Sequence, residues 1–74
     1  KISPNPFQTE IKIINPDYDN DIYYEIFDLN GRIVKSGISV VNKSIKIDNI
    51  MNGIYFIKIK FDNRVESHRI IKSS

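Results

Sequence analysis

Apolar and polar residues alternate with period two in several short stretches of this chain, and turn-forming residues separate them. The clearest stretch follows Gly53: Tyr55, Ile57, Ile59 and Phe61 fall on one face, Phe56, Lys58 and Lys60 on the other. This predicts a half-buried strand from Ile54 to Phe61, turned by Asp62 and Asn63 into a last strand from Val65 to Ile71. The last strand alternates poorly because Ile70 and Ile71 are adjacent, so a bulge or an edge position is expected. Thr9 to Ile14 alternates with Ile11 and Ile13 inward, and Ser44 to Asp48 with Ile45 and Ile47 inward. Ile22 to Asp28 sets Ile22, Tyr24 and Ile26 against Tyr23, Glu25 and Phe27. With both faces apolar, that strand is expected at the centre of a sheet.

The turns are equally legible. Asn30-Gly31 between two apolar runs predicts a hairpin of type I′, which needs positive φ at both central residues. Arg32 to Ser36 returns from it, and Gly37 is expected to interrupt the strand. Ile38 to Val41 would then be a separate short edge strand before a turn at Asn42-Lys43. Asn15 to Asp21 is a loop, because Pro16 lacks a backbone donor and Asx side chains favour turns. Six or seven short strands at this spacing predict an all-β fold, an immunoglobulin-like antiparallel β-sandwich. Its core should bring together Ile26, Ile47, Tyr55, Ile57 and Ile59.

Composition sharpens this reading. Seventy-four residues, of which 41% are hydrophobic, suffice for one domain with one core, so residues 1–74 are taken as a single unit. Alanine is absent and Ile dominates, which disfavours helices and suits a pleated surface. There are no cysteines, so neither disulfides nor thiolate metal sites are available. A net charge of +2 is too weak a field to argue for nucleic acid. Charge is nonetheless uneven: Asp17, Asp19, Asp21, Glu25 and Asp28 precede a basic end carrying Lys58, Lys60, Arg64, Arg69 and Lys72. Two solvated faces account for that. No apolar run approaches the roughly 20 residues of a spanning helix. The chain begins at Lys1, and it is expected to be a fragment of a longer protein.

Candidate chemistry is thin. With one histidine, His68, and no cysteine, a Cys-His pair is excluded. A Ser-His-acid set would have to recruit His68 from a C-terminal strand with no nucleophile elbow nearby, so no catalytic residues are assigned. Asp17, Asp19, Asp21 and Asp28 match positions of a calcium loop. However, Ile22 stands where that loop needs Gly, and a solvated acidic turn is the better reading. No metal and no cofactor is expected. Tyr18, Tyr23 and Phe56 are the aromatics free of the predicted core phase, and a sugar-binding or adhesive β-sandwich module is the alternative they allow.

Four segments, in order, carry a resemblance. Pro4-Asn5-Pro6-Phe7 precedes the first strand. Phe27-Asp28-Leu29-Asn30-Gly31-Arg32-Ile33-Val34 forms the central hairpin. Ile50-Met51-Asn52-Gly53-Ile54-Tyr55-Phe56-Ile57-Lys58-Ile59 leads into the longest strand, and Arg69-Ile70-Ile71-Lys72 closes the chain. Together they resemble the C-terminal sorting domain, type A, of type IX secretion (the Por secretion system). Met51 departs from the family's usual Pro or Ser, and Ser73 and Ser74 extend beyond the closing Lys. The resemblance implies a non-enzymatic sorting signal at the end of a larger exported protein. That protein would pass through the periplasm to the cell surface or the extracellular space. Its implied partners are the outer-membrane translocon, shuttle proteins and a sortase-like transpeptidase that commonly removes the domain. A monomer is expected.

The residues themselves suggest which parts are scaffold. Gly31 and Gly53 supply backbone angles that a side chain opposes, Asp28 can bond the turn amides ahead of it, and Tyr55 fills the core. Pro4, Asn5, Pro6 and Phe7 join these as structural motif residues. Arg69, Ile70, Ile71 and Lys72 are the translocon-docking candidates, on an edge expected to expose backbone donors and acceptors.

Overall fold

The computed structural model describes residues 2–15, 17–18, 20–47 and 49–73. The readings above that touch Pro16, Asp19, Asp48 and Ser74 lie outside the described residues. The described chain contains seven strands and no helix: β1 (Ile2–Ser3), β2 (Glu10–Ile13), β3 (Asp21–Phe27), β4 (Ile33–Val40), β5 (Ser44–Lys46), β6 (Gly53–Lys60) and β7 (Val65–Lys72). They form two antiparallel sheets, one three-stranded in the order β1-β2-β5 and one four-stranded in the order β4-β3-β6-β7. This is the predicted sandwich, with β3 at the interior of its sheet.

The alternation read from the sequence sets which side chains enter the core. Ile11, Ile13 and Ile45 point inward from the smaller sheet, with Ile47 just beyond β5. Ile22, Tyr24, Ile26, Tyr55, Ile57, Ile59 and Ile70 point inward from the larger one, and Phe7, Val41 and Phe61 close the ends. Fully burying an aliphatic side chain of this size stabilises the fold by roughly 1.5–3 kcal/mol. The five residues named as the core are all within this cluster.

Two local expectations are corrected, and between the two alternatives for the last strand the structure selects the edge position. The hairpin at Asn30-Gly31 is not of type I′: only Gly31 has positive φ there, at 81°. Gly31 N–H donates to Asp28 C=O at 3.0 Å and Asp28 N–H to Arg32 C=O at 2.9 Å. The loop therefore holds three residues, with glycine in the left-handed position that ends such a loop. Directly after it the register shifts, Ile26 facing Lys35 while Phe27 faces Ile33, so the extra residue is absorbed by a bulge.

Gly37 does not interrupt β4, which runs unbroken from Ile33 to Val40. It sits opposite Tyr24, and a Cβ there would lie 3.3 Å from the Tyr24 hydroxyl oxygen. The glycine makes room for the ring, a packing role that sequence spacing does not reveal. The adjacency of Ile70 and Ile71 needs no bulge. Register with β6 is continuous from Gly53↔Lys72 to Lys60↔Val65, so Ile70 faces inward and Ile71 outward beside Ile54. The edge position alone explains it.

Candidate functional site

The opening and closing motifs meet. After β1, the Pro4–Phe7 segment crosses from the smaller sheet to β7 of the larger one, with cis peptide bonds before Pro4 and Pro6. There the Asn5 side chain donates from Nδ2 to Arg69 C=O at 3.0 Å and accepts from Ile71 N–H at Oδ1 at 2.9 Å. Phe7 continues the pairing, its N–H donating to Ile71 C=O and its C=O accepting from Ser73 N–H, both at 2.9 Å. Phe7 is in turn buried in the core. The C-terminal half of the β7 edge, expected to be open, is thus occupied by the chain's own N-terminal motif. The backbone groups that alternate on the same edge nearer the hairpin, at Val65 and Ser67, have no partner among the described residues.

The docking candidates separate by face. Ile70 is fully buried and Lys72 is 9% exposed, whereas Arg69 is exposed and Ile71 half-buried on the outer face of the sheet. Arg69 stands opposite Phe56, and Phe56 opposite Phe27; Ser67 stands opposite Lys58, and Lys58 opposite Glu25. The outer face therefore presents Ile54, Phe56 and Ile71 bordered by Lys58, Lys60 and Arg69. Such exposed apolar groups with cationic neighbours fit a partner-binding surface.

At the other end of the sandwich the two glycine-containing motifs converge. Asp28 Oδ1 accepts from the N–H groups of Asn30 at 2.9 Å and Arg32 at 3.0 Å, and Oδ2 from Arg32 Nε at 3.2 Å. The backbone N–H of Arg32, followed by those other donors, holds its carboxyl below the usual range. The Tyr55 hydroxyl donates to Met51 C=O at 2.7 Å, tying the second motif's loop to the core. Between the two loops lies a groove of about 360 Å³ lined by Arg32, Val34, Ile50, Met51 and Tyr55 among others.

The remaining candidates do not assemble a site. Tyr18 packs edge-on against Phe61 with centroids 5.0 Å apart, and its hydroxyl accepts from Asp62 N–H, so it faces the hairpin rather than a ligand. Tyr23 and Phe56 are exposed but separated by the Glu25–Lys58 row, leaving no continuous aromatic platform. His68 Nε2 lies 3.1 Å from Glu66 Oε1, and Arg64 Nε donates to Glu66 Oε2 at 3.0 Å. These contacts hold the Glu66 carboxyl below its usual range, the His68 bond being the largest cause. No group of three or more His, Cys, Asp or Glu poised to hold a metal occurs among the described residues.

Across residues 1–73 the chain matches the family model of the secretion system C-terminal sorting domain. The chain belongs to that family. No curated protein matches it. The sorting domain is a C-terminal signal for type IX secretion, and it marks proteins exported to the cell surface or the extracellular space. The family is one of sorting signals rather than enzymes, and it implies the secretion machinery as partner. No helix among the described residues is long and apolar enough to cross a membrane.

Proposed function

We propose that the sorting domain closes a larger exported protein and acts as a folded, monomeric signal without catalysis of its own. The outer-membrane translocon and its shuttle proteins recognise it, and a sortase-like transpeptidase removes it at the cell surface. Docking uses the outer face where β7 meets β6. The observation that supports this is the cationic border of Arg69, Lys58 and Lys60 around exposed Phe56 and Ile54. Charges at such a rim steer association, while the apolar centre supplies contact. Ile70 and Lys72 contribute by fixing β7 from within.

The test is export of a passenger fused ahead of Lys1, with Lys60 and Arg69, which face no carboxylate across the sheet, both changed to Glu. Both side chains are on the exposed face, so melting should move little. Export is expected to fall on the order of tenfold, because reversed rim charges act on encounter. Normal export by a variant that melts like the parent would remove this face from the docking reading.

A further inference from the structure

We propose that β4 is an acceptor edge for an added antiparallel strand, supplied by an extended segment of another protein. The segment carries cationic character at its N-terminal end and a carboxylate at its C-terminal end. Apolar side chains alternate between. This site is separate from the outer face of β6 and β7.

The backbone carries the argument. β4 is the terminal strand of its sheet, opposite β7. Ile71 turns its N–H and C=O away from β6, toward Asn5 and Phe7. Counting the alternation across the sheet from there, Gly37 and Lys35 direct their groups to β3 and Ser36 and Ile38 direct theirs outward. Val40 C=O is taken by Lys43 N–H at 3.2 Å, so Val40 offers only its N–H. The N–H and C=O of Ser36 and Ile38 have no protein partner among the described residues.

Natural edges are commonly guarded by proline, by inward charges or by a covering segment. β7 has such a cover over its C-terminal half. β4 has no proline and no covering segment among the described residues. Lys35 on its half-buried inner face and the bulge near Ile33 blunt only the end near the hairpin, while Ser36 to Val40 carries no charge and Ile38 is 73% exposed. Its side chains line the strip an added strand would cover, with Val34 at one end and Val40 at the other.

Charge sets the direction. At the Val40 end the neighbouring β3 residue is Asp21, whose carboxylate is unpaired among the described residues. Just before the Ile33 end stands Arg32, with its side chain 78% exposed and only Nε engaged. Its terminal nitrogens can still take a carboxylate in paired fashion. An antiparallel strand enters beside Asp21 and finishes beside Arg32, next to the groove lined by Val34, Ile50 and Met51.

A second copy of the chain fits less well. Strand-to-strand contact along eight residues, across a body whose thinnest extent is 16 Å, covers roughly 400 Å² per copy, about half of what a stable interface uses. An antiparallel copy pairing Ser36 with Ile38 would also bring Arg32 toward the other copy's Lys43. A flexible segment has neither restriction.

The test is amide exchange on the isotope-labelled chain with a synthetic probe, a short peptide of alternating Thr and Val with an N-terminal Lys and a free C-terminal carboxylate. Saturating probe should slow exchange at Ser36, Ile38 and Val40 by roughly tenfold or more, since these N–H groups become hydrogen-bonded. Amidating the probe's C-terminus, or Arg32→Gln, should weaken binding roughly three- to tenfold, as expected for one exposed charge-assisted contact. Ile38→Pro removes an outward donor and should abolish protection; Ile38→Lys serves if the proline variant melts early. No protection at millimolar probe, or protection at Val65 and Ser67 instead, would overturn the proposal. Protection that rises with chain concentration in the absence of probe would overturn it in favour of a second copy.

Discussion

The four-stranded sheet ends in two strands of equal length whose surroundings differ throughout. β7 packs Ile70 into the core and has half its free edge filled by Asn5 and Phe7. β4 has no fully buried residue, and the backbone groups of Ser36 and Ile38 have no partner among the described residues. The cause is the unequal number of strands. Three strands cannot cover four, and the crossing of Pro4–Phe7 from β1 to β7 fixes which side is covered. The same sheet thus has one edge serving stability and one edge left available. A domain of this size buries only roughly 60% of its unfolded surface, so an uncovered strand is affordable only where the rest is tightly packed.

The largest contrast should come from truncating one isoleucine on each edge. Ile70→Ala is expected to cost roughly 2–5 kcal/mol by removing fully buried methyl groups, and Ile57→Ala beside it the same. Ile38→Ala should stay within about 0.5 kcal/mol. Chemical denaturation of the three variants measures this, and equal losses at Ile70 and Ile38 would break the distinction between the edges.

Next in size is the Asn5 clamp. Asn5→Ala leaves Arg69 C=O and Ile71 N–H to water and should cost about 1 kcal/mol, since solvent partly replaces a bond at an exposed site. Amide exchange should quicken at Ile71 while β4 amides stay as they were. A comparable change on the β4 side is Gly31→Ala, expected to cost about 1 kcal/mol because its φ of 81° is strained for any side chain. Thermal melting compares the two directly.

The smallest effect is on pH. Asp28, in the loop between β3 and β4, and Glu66, within β7, both have carboxyls held below their ordinary values in the folded chain. A depressed folded pKa means the stabilisation is present above the unfolded value and is lost as pH falls through the folded one. Melting temperature should therefore decline on acidification below about pH 4, as carboxylates take up protons. Asp28→Asn and Glu66→Gln should each start lower at neutral pH and decline less. Because both groups are solvent-accessible the shifts should be small, and a variant that tracks the parent through the acid range would show that its contacts add nothing.

Much of this was written in the chain. Alternation around Ile57 and Ile26 determined which faces are buried, because the period of a strand admits only two choices per residue. The adjacency of Ile70 and Ile71 allowed a bulge or an edge, of which the structure holds the edge, and the motif segments together marked the family. What alternation does not carry is the neighbour across the sheet. Tyr24 lies opposite Gly37, so the glycine that looked like a break is a strand position that accommodates a ring. The loop at Asn30-Gly31 holds three residues rather than two because Asp28 closes it through Arg32, a contact the dipeptide alone does not specify.

The candidate site shows the same division. Sequence singled out Pro4 to Phe7 and Arg69 to Lys72 as separate motifs, and only the fold brings Asn5 against Arg69 and Ile71, at sequence separations of 64 and 66. Local pattern determined most of the strands, their faces and the family, but neither the short β1 nor the unbroken run of β4. The tertiary structure decided which edge is covered, because the pairing of the N-terminal segment with β7 depends on where two sheets of unequal width come to rest.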